Sequence, residues 1–189
     1  MKRTLITLTL LFISTTASAH TGHDVSGFSS GLLHPFSGMD HLLAMLAVGL
    51  WAGQLGGQRI WQLPATFMAM LAGGAFIGMW MPSLTLIEPG IAASVLILGL
   101  LIASPSKLAL PISFALTAAF GIFHGYAHGS EMPSAAAPLA YAAGFLLSTA
   151  SLHVSGIVMG STLSERFARM IQVSGVGIAA TGAWMLVAI

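Results

Sequence analysis

A chain of 189 residues that is 56% hydrophobic and only 6% charged falls far below the roughly 25% charged fraction of soluble domains, so it reads as an integral membrane protein. Its formal net charge of +1, without a basic cluster, excludes an electrostatic footprint for nucleic acid, and no Gly-x-x-x-x-Gly-Lys loop is present to cradle ATP phosphates. The absence of cysteine excludes disulfides, thiolate nucleophiles and Cys-based zinc or iron–sulfur sites. Imidazole and carboxylate remain as strong ligands, a set suited to nickel, cobalt, zinc or iron rather than copper(I).

Met1 to Ala19 has the three parts of a secretory signal: Lys2 and Arg3, the apolar run Leu5 to Ile13, and the small-residue end Ala17-Ser18-Ala19. Cleavage is predicted before His20. The alternative, an uncleaved signal anchor, is disfavoured because the run is short for a span of about 20 residues. Cleavage would free His20-Thr-Gly-His23-Asp24, where an α-amine, two imidazoles and a carboxylate could capture a divalent cation. A frayed polar tail is the competing reading.

Six apolar segments follow: Phe36 to Gln54, Trp61 to Trp80, Pro89 to Ala103, Leu108 to His128, Ala136 to Gly156 and Phe167 to Val187. Each is near the length a bilayer requires, which predicts an all-α bundle of six transmembrane helices forming one domain over residues 20–189. With the mature N-terminus outside, the basic residues Arg59, Lys107, Arg166 and Arg169 all fall at cytoplasmic ends, as the positive-inside rule requires. Both mature termini are then expected in the periplasm. Three spans before Lys107 and three after it permit an inverted repeat, although the halves share no evident sequence similarity. Gly121, Gly125 and Gly129 form a stripe of small residues, with shorter ones at Gly74/Gly78 and Gly156/Gly160. Such stripes let helix backbones approach closely. The first would clamp a neighbour beside the face that carries His124 and His128.

Histidine inside a membrane helix must be hydrogen-bonded, paired or coordinating. His34-Pro-Phe-Ser-Gly-Met-Asp40-His41 lies at the outer end of the first span. Pro35 suits a first helical turn, so His34 is expected just before the helix, with His41 returning to nearly the same face. Asp40 would cost about 2.5–3.5 kcal/mol within a span. It is read as contacting metal, as fixing a histidine tautomer, or as capping the helix. In His124-Gly-Tyr-Ala-His128-Gly-Ser-Glu131 the two histidines share a helical face, with Glu131 one turn further. They are read as ligands against the bland alternative of hydrogen bonding within the bundle, and Glu131 as a ligand or a carboxylate at the mouth. His153, alone on the fifth span and nearer the cytoplasm, is either a deeper relay ligand or one half of an interhelical hydrogen bond. The 11 methionines form no one-face array and are taken as packing residues.

Together, His34-Pro-x-x-Gly-x-Asp40-His41-Leu-Leu-Ala-Met, Phe123-His124-Gly-x-Ala-His128-Gly-x-Glu131 and Leu152-His153-x-x-Gly156, in this order behind a signal peptide, resemble the HupE/UreJ family of nickel and cobalt permeases. The resemblance covers essentially the whole mature chain. It implies secondary transport of Ni²⁺, or of Co²⁺, across a bacterial inner membrane to supply nickel enzymes such as hydrogenase or urease. It also implies no enzymatic activity and no catalytic cofactor, with the metal ion and the lipid bilayer as partners. By motif position it carries functional roles to His34, Asp40, His41, His124, His128 and Glu131. The expected site joins His34, Asp40 and His41 on the first span to His124 and His128 on the fourth, with His153 as a second, weaker site. The rival reading is an intramembrane zinc-dependent hydrolase, since His and Asp on several helices can hold Zn²⁺ and a reactive water.

Overall fold

The computed structural model describes residues 27–81, 84–104, 108–131, 137–162 and 164–189, without the side chains of 164–166. The predicted signal peptide, the His20–Asp24 terminus, Lys107 and the Arg166 side chain lie outside the described residues. Among the described residues there are seven helices and no strand: α1 (Gly27–Ser37), α2 (Met39–Leu55), α3 (Arg59–Gly78), α4 (Ile87–Ala103), α5 (Leu110–Ser130), α6 (Pro138–Thr162) and α7 (Ser164–Ala188). Helices α3, α5 and α6, with Phe167–Ala188 of α7, are long and apolar enough to cross a membrane. Helices α1 and α2 together would also suffice but meet at 83°, and α4 is a shorter apolar helix of 17 residues.

The helix breaks follow from local chemistry. Gly56 and Gly57 take φ of 70° and 59°, a left-handed conformation that glycine adopts without strain, and they end α2. Pro111 sits in the first turn of α5, where its missing N–H has no intrahelical partner to lose. A kink at Phe167 (φ −129°, ψ 33°) bends the start of α7.

The first predicted span needs correction. Pro35 does not open it but lies inside α1, and the chain breaks at Gly38, which is extended (φ −110°, ψ 127°). Pro35 gives up its own i→i−4 hydrogen bond and crowds the Gly31 carbonyl, a cost set against the close packing of α1 on α6. Gly31 meets the Tyr141 carbonyl, and Gly144 meets the Phe28 carbonyl.

Packing is dominated by backbone-to-backbone contact through small residues, as expected where lipid supplies no hydrophobic drive between helices. A Cβ at Gly125 or Gly129 would collide with the Leu71 or Ala75 carbonyl of α3, and one at Gly78 with the Tyr126 carbonyl of α5. Gly74/Gly78 is thus the reciprocal half of the stripe on α5. Gly156 and Gly160 close in the same way on Leu46 and Leu50 of α2, and Gly175 and Gly182 on Ala103 and Leu96 of α4. Three zipped pairs result: α3–α5, α2–α6 and α4–α7. Between them lies a core of Met45, Val48, Trp51, Leu63, Phe67, Leu71, Val95 and Leu98, while Trp61, Leu139 and Val187 point outward, the reverse of a water-facing surface.

The two ends of the bundle differ in charge. Arg59 Nη1 donates to the Leu108 carbonyl at 3.3 Å and Gln54 Nε2 to the Ile102 carbonyl at 3.2 Å. Because Gly175 packs on Ala103, Arg169 lies towards this same end. Asp40 and Glu88 sit at the opposite end with Trp184 and Ile189, around one cavity.

Candidate metal centre

The bend at Gly38 folds His34 of α1 back towards His41 of α2, and α5 brings His128 against both. Ring centroids are 4.7 Å apart for His34–His128, 4.2 Å for His41–His128 and 6.1 Å for His34–His41. One ring nitrogen from each of the three lies within 4.8 Å of the others, the one such set of three metal-ligating side chains among the described residues. Metal–nitrogen bonds of about 2.1 Å would draw the rings together by roughly an ångström. His34 is partly exposed, whereas His41 and His128 are buried.

His128 is the unusual member. It is 2% exposed, and neither of its ring nitrogens has a hydrogen-bond partner. Burying an unpaired polar group costs about 1–3 kcal/mol, so this imidazole has a hydrogen-bonding demand that no protein atom around it meets. Its surroundings are aromatic. Phe145 packs 4.0 Å away, and Tyr141, stacked on Phe145, faces His34 at 5.8 Å.

Asp40 supplies the negative charge. Its Oδ1 accepts the His41 backbone N–H at 2.9 Å in the first turn of α2, where a carboxylate also meets the positive end of the helix dipole. Its Oδ2 stands 3.9 Å from His41 Nε2. Gly38 leaves room for this arrangement: a Cβ there would sit 2.6 Å from Asp40 Oδ1 and 3.1 Å from His41 Cδ2, so the carboxylate would have to shift.

The other sequence-derived residues fall outside the trio. His124 is fully buried behind His41, with Nδ1 2.9 Å from His41 Nδ1 and Nε2 2.8 Å from Ser94 Oγ. His153 donates through Nδ1 to the Met45 carbonyl at 2.7 Å, and its buried Nε2 has no partner. The ring of Phe67 contacts both, 5.8 Å from His124 and 5.2 Å from His153. Glu131 caps α5 and shares a cavity of about 500 Å³ with Glu88, Thr85 and Ser130. Partial burial, and then the negative charge of Asp40, hold the Glu131 carboxyl above the usual carboxylate range. Asp40, Glu88 and Glu131 thus line two neighbouring cavities that share Glu88, an acidic approach at this end of the bundle with Asp40 beside His41.

Sequence reasoning passed over Ser94, Phe67 and Tyr141. The available signal for Ser94 was its position as a lone hydroxyl within the apolar run Ile91–Ala103; Phe67 and Tyr141 look like ordinary packing residues.

The model of the family described as HupE / UreJ protein matches residues 8–185, a stretch that contains every residue of this site. The chain belongs to the HupE/UreJ family. Protein HupE of Rhizobium leguminosarum bv. viciae is 40% identical over 190 residues, covering 99% of this chain and 100% of that one. No solved structure matches. This HupE/UreJ chain is accordingly a helical, multi-pass membrane protein in which His34, His41 and His128, from two of its motifs, come together.

Proposed function

We propose that the protein is a secondary transporter of a divalent transition-metal ion, Ni²⁺ or Co²⁺, across the bacterial inner membrane, supplying nickel enzymes such as hydrogenase or urease. The observation that carries this reading is the trio of a partly exposed His34 with the buried His41 and His128, both nitrogens of His128 being unpartnered. Neutral imidazole suits nickel and cobalt, and the single Asp40 carboxylate beside His41 offsets part of the dication's charge where the dielectric is low.

Six spans accommodate the chain if α2 and α4, each of 17 residues, cross as short helices of about 26 Å in a hydrocarbon core near 30 Å. Placing Arg59 and Arg169 on the cytoplasmic side turns the acidic approach and both mature termini towards the periplasm. The cation then passes from Glu131 and Glu88 to Asp40 and the three imidazoles, and onward to His153, whose free Nε2 is the second, weaker site. Alternating exposure of the two sites completes transport.

Radioactive nickel uptake in cells lacking other nickel importers tests the reading. Wild type accumulates the ion and His128→Ala does not; equal uptake by both would remove the site. A three-imidazole donor set also occurs in hydrolytic zinc centres, which keeps the intramembrane hydrolase as the rival. Purified protein that hydrolyses a lipid amide or ester, without moving nickel into liposomes, would establish that rival.

A further inference from the structure

The buried hydrogen bonds behind the site constrain where its protons lie. Ser94 Oγ lies 2.7 Å from the Ile91 carbonyl oxygen. Two oxygens at that distance need a hydrogen between them, and only the serine has one to give. The hydroxyl hydrogen is therefore committed to Ile91. Ser94 Oγ also lies 2.8 Å from His124 Nε2, and with its own hydrogen spent it can only accept there, so His124 carries its N–H on Nε2. A neutral imidazole has one N–H, which leaves His124 Nδ1 as an acceptor. The 2.9 Å contact between the two Nδ1 atoms then requires the hydrogen on His41 Nδ1, and His41 Nε2 is left with its lone pair.

We infer that Ser94, acting through His124, is a positioning residue that sets the tautomer of His41 so that its Nε2 lone pair is presented to the ion. The inference rests on the metal-site reading above and assigns His124 a supporting role behind the ligands. The opposite polarity, with the serine donating to His124, would place an N–H on His41 Nε2 and block coordination, because a ligating imidazole nitrogen must be unprotonated. Neighbours that hold the far nitrogen of a metal-binding histidine typically alter affinity by about 10- to 100-fold.

The test uses the full chain in nanodiscs with ¹⁵N-labelled histidine, first metal-free and then titrated with Co²⁺. In wild type the NMR shifts report His41 protonated at Nδ1 and bare at Nε2. Ser94→Ala converts His41 to a mixture of tautomers and weakens Co²⁺ binding about 10-fold or more, and Ser94→Thr, which keeps the hydroxyl, restores both. A protonated His41 Nε2 in metal-free wild type overturns the inference, whether or not the variants fold. So does an unchanged tautomer in Ser94→Ala. If wild type shows the assigned tautomers but no Co²⁺ absorption bands that His128→Ala removes, the transport reading fails while the proton assignment stands.

Discussion

His128 holds two buried ring nitrogens without partners, so the metal-free protein carries a cost that function justifies and stability does not. Replacing such a group by an apolar one of similar size is close to neutral or stabilising. His128→Leu is therefore expected to match or exceed the wild-type unfolding midpoint in metal-free detergent solution while abolishing nickel uptake. Added Ni²⁺ should raise the midpoint of wild type only. Glu131 makes a pH prediction. Its carboxyl is held above the usual range by partial burial and by Asp40, so it loses its charge at a higher pH than an ordinary carboxylate as the medium is acidified. Uptake at low ionic strength should fall on that acid limb in wild type, and Glu131→Gln should flatten the limb. Because the folded state favours the neutral form, this residue's contribution to stability is present at low pH and lost as pH rises through the raised pKa. Glu131→Gln is accordingly neutral or slightly stabilising at neutral pH. The motifs made His34, His41 and His128 legible, but not the split between His124 and His128. Four residues on a helix separate two side chains by about 6 Å along its axis, so a shared face does not ensure a shared ion. Ser94 was illegible because a serine in an apolar helix ordinarily bonds back to its own backbone. Ser94 does so at Ile91, and its second contact is visible only across helices.

The helices differ in how plainly the sequence announces them. The long apolar segments were readable from composition, and the stripe of Gly121, Gly125 and Gly129 pointed correctly to a clamped neighbour. That neighbour was hidden, since nothing in a periodic pattern says which helix answers it; Gly74 and Gly78 of α3 do so from the other side. The fit has little slack. Gly125→Ala would push a methyl into the Leu71 carbonyl and is expected to destabilise the protein by about 1–3 kcal/mol, read as a lower unfolding midpoint. Gly73→Ala, with open space around it, should be neutral or gain up to about 1 kcal/mol of helix propensity. Helix α1 was missed because Pro35 read as a helix start, with His34 just before it. Its packing on α6 through Gly31 and Gly144 outweighs that local preference. The bend it makes with α2 brings His34 into the site, so Gly38→Ala, which displaces Asp40, should weaken Co²⁺ binding without lowering the yield of folded protein.

At the scale of the whole molecule, the separation of Arg59 and Arg169 from Asp40, Glu88 and Glu131 sets a testable orientation. The chain has no cysteine, so labelling starts from zero background. In intact spheroplasts an impermeant maleimide should modify Ser130→Cys and leave Gln58→Cys untouched until the membrane is opened; both positions are exposed at opposite ends of the bundle. The three zipped pairs give this architecture one more property. Ser94 lies on α4, His124 on α5 and His41 on α2, so the hydrogen-bonded chain takes one link from each pair. Hydrogen bonds of 2.8 and 2.9 Å fail within about half an ångström of stretch, far less than would part packed helices. On the proposed proton assignment the chain works as a three-way interlock: His41 presents a bare Nε2 only while all three pairs stand in register, and the first slip of any one of them would release that tautomer.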